Sequence, residues 1–191
     1  MIDAQHVSLG ILAGGRGSRL AGADKALLEY QGCALLTRVL RACAEPFAER
    51  LLSYNREPGP LVSAFGLRIV PDLRPGQQGP LVALEALFDA CKTQWLLTIP
   101  VDIRESPPGL TTKLMQAQSG DADGCVLRDA DGLQPLVGLW NVPALRDSVT
   151  AALDSGERAV HRWLAANPLP VHDISPLRLG NLNSPADFAA R

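Results

Sequence analysis

Short apolar runs alternate along the chain with segments whose apolar positions recur every three to four residues. Val7–Ala13, Arg50–Asn55, Arg68–Asp72 and Trp95–Pro100 are apolar runs that stop at polar residues or at Gly and Pro, the pattern of buried strands. Between them, Leu35, Leu36, Val39, Leu40 and Cys43 fall on one face of a helix, as do Leu81, Leu84, Leu87, Phe88 and Cys91. Further on, Gly124–Leu127, Leu133–Trp140 and Val171–Ile174 read as strands, and Ala144–Leu153 and Ala159–Ala166 as helices. A last helix follows Ser184, with Pro185 suited to its first turn. Strands alternating with helices predict βαβ crossovers. The expected fold class is α/β: one domain over residues 1–191, a mostly parallel twisted sheet with helices on both faces.

The 191 residues are 47% hydrophobic and 20% charged, enough to bury a core and too apolar for a disordered chain. A net charge of −2 with no polybasic run argues against nucleic acid or an anionic membrane as partner. Any polyanion must be held locally, by a few well-placed groups. No apolar run approaches the roughly 20 residues that span a bilayer, and the N-terminal segment is acidic where a signal peptide is basic. A cytoplasmic protein is the expectation. Cys33, Cys43, Cys91 and Cys125 form no CxxC pair, and His6, His161 and His172 have no metal-like spacing, so zinc and a redox dithiol are not expected.

Leu12-Ala13-Gly14-Gly15-Arg16-Gly17-Ser18-Arg19 follows the first strand, where an open α/β sheet binds its ligands. Glycines there let backbone N–H groups converge on phosphate oxygens. The loop is not a Walker A, because Gly22 is followed by Ala23-Asp24-Lys25 rather than Lys and Ser or Thr. Nor is it a dinucleotide fingerprint, since Leu20 stands at the third glycine and the second strand ends in Asn55. Asn55, Asp72 and Asp102 each fall where a strand ends, on the same sheet edge as the loop. Each alone is an ordinary turn or cap residue. Their coincidence at four strand ends makes this edge the candidate site.

The sequence resembles the molybdenum cofactor guanylyltransferases, the MobA family, whose N-terminal signature is LAGGxxxRMGGxDKxLL. The resemblance runs through Leu12-Ala13-Gly14-Gly15, Arg19 to Leu28, Asn55-Arg56, Val70-Pro71-Asp72, Gly79-Pro80-Leu81 and Pro100-Val101-Asp102. It continues through Gln134-Pro135-Leu136, Gly156-Glu157-Arg158-Ala159-Val160 with Trp163-Leu164, and Asn181-Leu182-Asn183-Ser184-Pro185. Departures from the pattern are Leu20 for Met, Ala21, Ala26 and Ala83 for Gly, and Ile103-Arg104 after Asp102. Arg104 either pairs with Asp102 or adds a phosphate contact.

The resemblance implies a Rossmann-like nucleotidyltransferase that moves GMP from GTP to the terminal phosphate of Mo-molybdopterin, releasing pyrophosphate. It places Leu12, Ala13, Gly14, Gly15, Arg19, Lys25, Asn55, Asp72 and Asp102 at GTP. It further implies that Asp102 holds Mg²⁺ and that Lys25, Asp102, Asn181 and Asn183 form the catalytic group. Lys25 is expected as an accessible loop residue. Asn181 and Asn183, two apart, point the same way if extended, and Asn183 or Ser184 also suits a helix cap. Partners implied are molybdenum insertion proteins and molybdoenzyme chaperones, with the enzyme itself a monomer. Two other readings stay open. One is a sister transferase using CTP on the same cofactor, or another NTP on a sugar phosphate; the other is a binding module that has lost catalysis.

Overall fold

β1 (Val7–Leu12) is buried along its whole length because both of its faces are covered. The computed structural model describes residues 2–14, 23–76, 79–118 and 120–189. Alternation along β1 sends Leu9 and Ile11 to one face and Leu12 to the other. On the second face a Cβ at Gly10 would lie 3.0 Å from Leu87 Cδ1, so glycine here lets a helix approach closely.

Around β1 the sheet has seven strands. β4 (Glu49–Ser53) and β5 (Arg68–Val70) lie to one side, in the order β5-β4-β1. β6 (Trp95–Pro100), β8 (Gly132–Asn141), β7 (Gly124–Asp129) and β9 (Val171–Asp173) follow on the other. Four of the six neighbouring pairs are parallel. The two antiparallel pairs both involve β8, which returns from β7 through a short turn and inserts beside β6. β2 (Glu29–Tyr30) and β3 (Cys33–Ala34) make a separate two-stranded ribbon.

One face of the sheet is covered by α1 (Leu35–Ala42) and α4 (Leu110–Ala117), whose Leu35, Leu36, Val39, Leu110, Leu114 and Met115 are buried. The other is covered by α3 (Pro80–Ala90), α5 (Val142–Asp154) and α6 (Val160–Ala166). α2 (Pro60–Ser63) is a single turn between β4 and β5, and α7 (Pro185–Ala189) is the last described helix. The predicted class therefore holds, with helices on both faces. Boundaries moved: β4 stops at Ser53, β7 reaches Asp129, β9 stops at Asp173 and α5 starts at Val142. The pattern did not predict the β2–β3 ribbon, α2 or α4. Two or four residues hold too little periodicity to read, and α4 has only two turns after a left-handed Gly109. Among the described residues no helix is long and apolar enough to cross a membrane.

Trp140, fully buried, packs against Phe88 and Trp163 with ring centroids 6.3 and 5.8 Å away. Its indole N–H donates to Thr98 Oγ1 at 2.8 Å, and that hydroxyl donates to the Leu136 carbonyl at 2.9 Å. Thr98→Val keeps the shape but strands both partners in a dry layer. Chemical denaturation should show a loss of about 1–3 kcal/mol; an unchanged midpoint would mean that water reaches the indole.

Candidate active site

From β1 the chain builds β4 and β5 on one flank, then returns to β6 on the other, which opens a crevice between the ends of β1 and β6. Leu12 lies opposite Pro100 there, and Val101 N donates to the Leu12 carbonyl at 3.0 Å. Ala13 N donates to Ser53 O at 3.2 Å. The residues after β1, Ala13 and Gly14, and those after β6, Val101 and Asp102, are thus side by side.

Lys25 opens a single 3-10 turn, Lys25–Leu27. Asp24 caps it: one carboxylate oxygen accepts from Ala26 N at 3.1 Å, and the other accepts from the Tyr54 hydroxyl. Lys25 Nζ lies 2.5 Å from Asp102 Oδ2 and donates to Asn183 Oδ1 at 2.8 Å. The two charged side chains are only 22% and 16% exposed. Lys25 is therefore only partly accessible, where a freely accessible loop residue was expected; it is the centre of a hydrogen-bonded group. Asp102 is not a helix cap, since α4 begins eight residues later behind Gly109.

Asn183 is fixed through Asp187. Asp187 Oδ2 accepts from Asn183 N at 2.9 Å, and from Ser184 N and Ser184 Oγ at 2.8 Å each, which gathers the start of α7 on one carboxylate oxygen. These donors, led by the Asn183 N–H, hold the Asp187 carboxyl below the usual range. Its other oxygen takes Arg104 Nη2 at 3.1 Å. Arg104 thus pairs with Asp187, not with Asp102, because its side chain runs across Gly180 toward α7. Asn181 bridges to Ile103, remains exposed and makes no hydrogen bond to Lys25 or Asp102. Of the two asparagines, the structure brings only Asn183 to the lysine.

On the other side of Gly14, Asn55 Nδ2 donates to Asp72 Oδ2 at 2.9 Å, and Asp72 N donates to Asn55 Oδ1 at 2.8 Å. A Cβ on Gly14 would lie 3.4 Å from Ser53 Oγ and 3.5 Å from Asn55 Nδ2. Burial pushes the Asp72 carboxyl up, and its Oδ1, like Ser53 Oγ, is buried without a partner. A dry carboxylate oxygen with no donor is costly unless a bound molecule supplies one. Ser53 was missed by sequence reasoning, although its place at the end of an apolar run was a signal.

Gly79 adopts φ +107°, and a Cβ there would be 3.2 Å from the Arg158 carbonyl, which ties the Gly-Pro-Leu turn to the start of α6. Pro80 and Ala83 at the start of α3 complete a small cleft of about 110 Å³ with Gly14, Lys25, Asp102 and Leu136. A wider cleft of about 460 Å³ lies behind the Asp102 loop, along α1, and includes none of the candidate residues. Gly15, Arg16, Arg19, Leu20 and Ala21 lie outside the described residues. No group of three His, Cys, Asp or Glu able to hold a metal occurs among the described residues. A hard cation here would find the Asp102 carboxylate and take its remaining oxygens from ligand and water, which suits Mg²⁺ beside a phosphate.

A switch-point crevice with Gly14, a lysine and a carboxylate is the place where an open α/β sheet takes a ligand. The MobA-like NTP transferase domain matches residues 9–170, and the chain belongs to that family of nucleotidyltransferases. A molybdenum cofactor guanylyltransferase of Shewanella baltica is 33% identical over 178 residues, 92% of this chain and 90% of the relative. One from Cupriavidus metallidurans is 35% identical over 175 residues, 88% and 85% of the two chains. The crystal structure of molybdopterin-guanine dinucleotide biosynthesis protein A from Archaeoglobus fulgidus, 22% identical, has the same fold, with a TM-score of 0.75 over 95% of both chains.

Proposed function

We propose that this chain transfers GMP from GTP to the terminal phosphate of Mo-molybdopterin, giving the guanine dinucleotide form of the cofactor and pyrophosphate. The observation that carries this reading is the Lys25–Asp102–Asn183 group at the switch-point crevice, in a chain about one-third identical to guanylyltransferases over most of its length. An oxygen of the terminal phosphate attacks the α-phosphorus of GTP. The new P–O bond forms as the bond to the β-phosphate oxygen breaks, and pyrophosphate leaves. The attacking phosphate is mostly ionised at neutral pH, its second pKa being about 6, so no general base has to create the nucleophile. What the protein must do is bring two polyanions together and offset their charge.

Backbone groups of Leu12, Ala13 and Gly14 take the nucleotide, with Asn55 and Asp72 on its base and ribose side. The unpartnered Asp72 oxygen and Ser53 hydroxyl support a ligand at that end. Lys25 turns its ammonium to the phosphates, and Asn183 limits the directions in which it can move. Asp102 would hold Mg²⁺, which would supply charge neutralisation and alignment of phosphate oxygens.

GTP with Mg²⁺ should raise the melting temperature more than CTP or ATP at equal concentration, and pyrophosphate should appear only when loaded molybdopterin is added. A larger shift with CTP would point to the sister cytidylyl activity. A GTP shift without turnover would identify a binding module.

A further inference from the structure

The turn that carries Lys25 is held at its base as well as at its tip. Asp24 has both carboxylate oxygens engaged, one by the Ala26 N–H inside the turn and one by the Tyr54 hydroxyl. Tyr54 comes from the end of the strand beside β1. It directly follows β4, is 3% exposed, and has its backbone N–H on the Val70 carbonyl at 3.0 Å. Its ring packs in the core that also holds Ile11, Ala26 and Leu52. The same connection fastens the segment again through Arg56, whose Nη2 donates to the Ala23 carbonyl at 3.3 Å. Thus the end of β4 grips the two residues before Lys25.

We infer that Tyr54 is a positioning residue for nucleotidyl transfer: through Asp24 its hydroxyl fixes the turn that aims the Lys25 ammonium. The inference rests on the reading of Lys25 as a phosphate contact. At rest the lysine tip is also held by Asp102 and Asn183, so the tether adds little to its placement. Once the ammonium turns to phosphate those contacts weaken, and the anchorage at the base governs where a side chain with four rotatable bonds can reach. Cutting the tether should therefore be felt in the reaction more than in the resting fold. Burial, reinforced by the Asp24 carboxylate, pushes the Tyr54 phenol up to about 12, so it remains a donor throughout the ordinary pH range.

Tyr54→Phe keeps the ring and removes the donor. Asp24→Ser keeps an oxygen for the Ala26 N–H but is too short to reach Tyr54, so it cuts the same link from the other side. Each should lower kcat roughly tenfold or more, because a misplacement of about 1 Å in a reacting group has that scale of effect. KM for GTP should change much less. In a Lys25→Ala background, Tyr54→Phe should cost nothing further in kcat, since the group it aims is gone. A Tyr54→Phe enzyme with wild-type kcat, or an equal loss in the presence and absence of Lys25, overturns the inference. If Tyr54→Phe does not fold, Asp24→Ser decides by the same criteria. Full activity in Lys25→Ala alone would instead overturn the role given to Lys25, which separates the two failures.

Discussion

Asp102→Asn is expected to yield a folded protein that still binds GTP in part and has lost most Mg²⁺-dependent transfer. The amide has nearly the carboxylate's shape, and Asp102 is anchored through its backbone, whose carbonyl accepts from Leu182 N at 2.9 Å. The loop also pairs with Gly180 and Leu179 through Arg104 N and Glu105 N, so its course does not depend on the side-chain charge. What disappears is the ion pair with Lys25. With both side chains still partly exposed, that loss should be worth no more than about 1 kcal/mol after solvent screening. The chemistry has no such reserve. On the proposed reaction two polyanions meet in the crevice, and removing the carboxylate proposed to hold the metal should slow transfer by about two orders of magnitude or more. Pyrophosphate release followed across a Mg²⁺ titration, beside a thermal melt, measures both. Wild-type rates at low Mg²⁺ would place the metal elsewhere.

Lys25→Ala should have an effect of similar size by a different route. Its ammonium is the one cation that the described structure places at the Asp102–Asn183 pair, and a preorganised donor aimed at developing charge is commonly worth about 10²–10³ in rate. Stability should fall by only about 1 kcal/mol, since Asp102 and Asn183 both retain access to water. Lys25→Arg should recover little, because a planar fork cannot fit the point-charge position between a carboxylate and an amide oxygen. Steady-state kinetics with denaturant titrations on the same preparations test this. A variant that fails to fold would make Lys25 a structural ion-pair partner.

The strand ends were legible because a buried strand writes its own boundary: an apolar run stops, and the next polar residue stands at the sheet edge. Asn55, Asp72 and Asp102 were found in that way, and the crevice follows from the order in which their strands add to the sheet. Pairings across distant segments were not legible. Nothing in the sequence says that Tyr54 reaches Asp24, or that Arg104 takes Asp187 rather than the neighbouring Asp102. Those choices depend on which way a side chain leaves its backbone, and spacing carries that information only within one helix or strand. Asn181 and Asn183 show the limit: period two put them on one side, but only packing decided which would meet the lysine.

Asn183 meets Lys25 across 158 residues of chain, and this separation bears on how the molecule is made. At a synthesis rate of roughly 5–20 residues per second, about 8–30 s pass on the ribosome between the two residues. β1, α1 and β4 can begin to pack during that time, and the loop holding Asp102 can reach Lys25. Asn183 cannot, because neither it nor the Asp187 that fixes it has emerged. A nascent chain therefore lacks the amide of the proposed catalytic group until nearly all of it has been made. The same holds for a molecule clipped ahead of Asn183, which would keep the sheet and the carboxylate while leaving the lysine without its second partner.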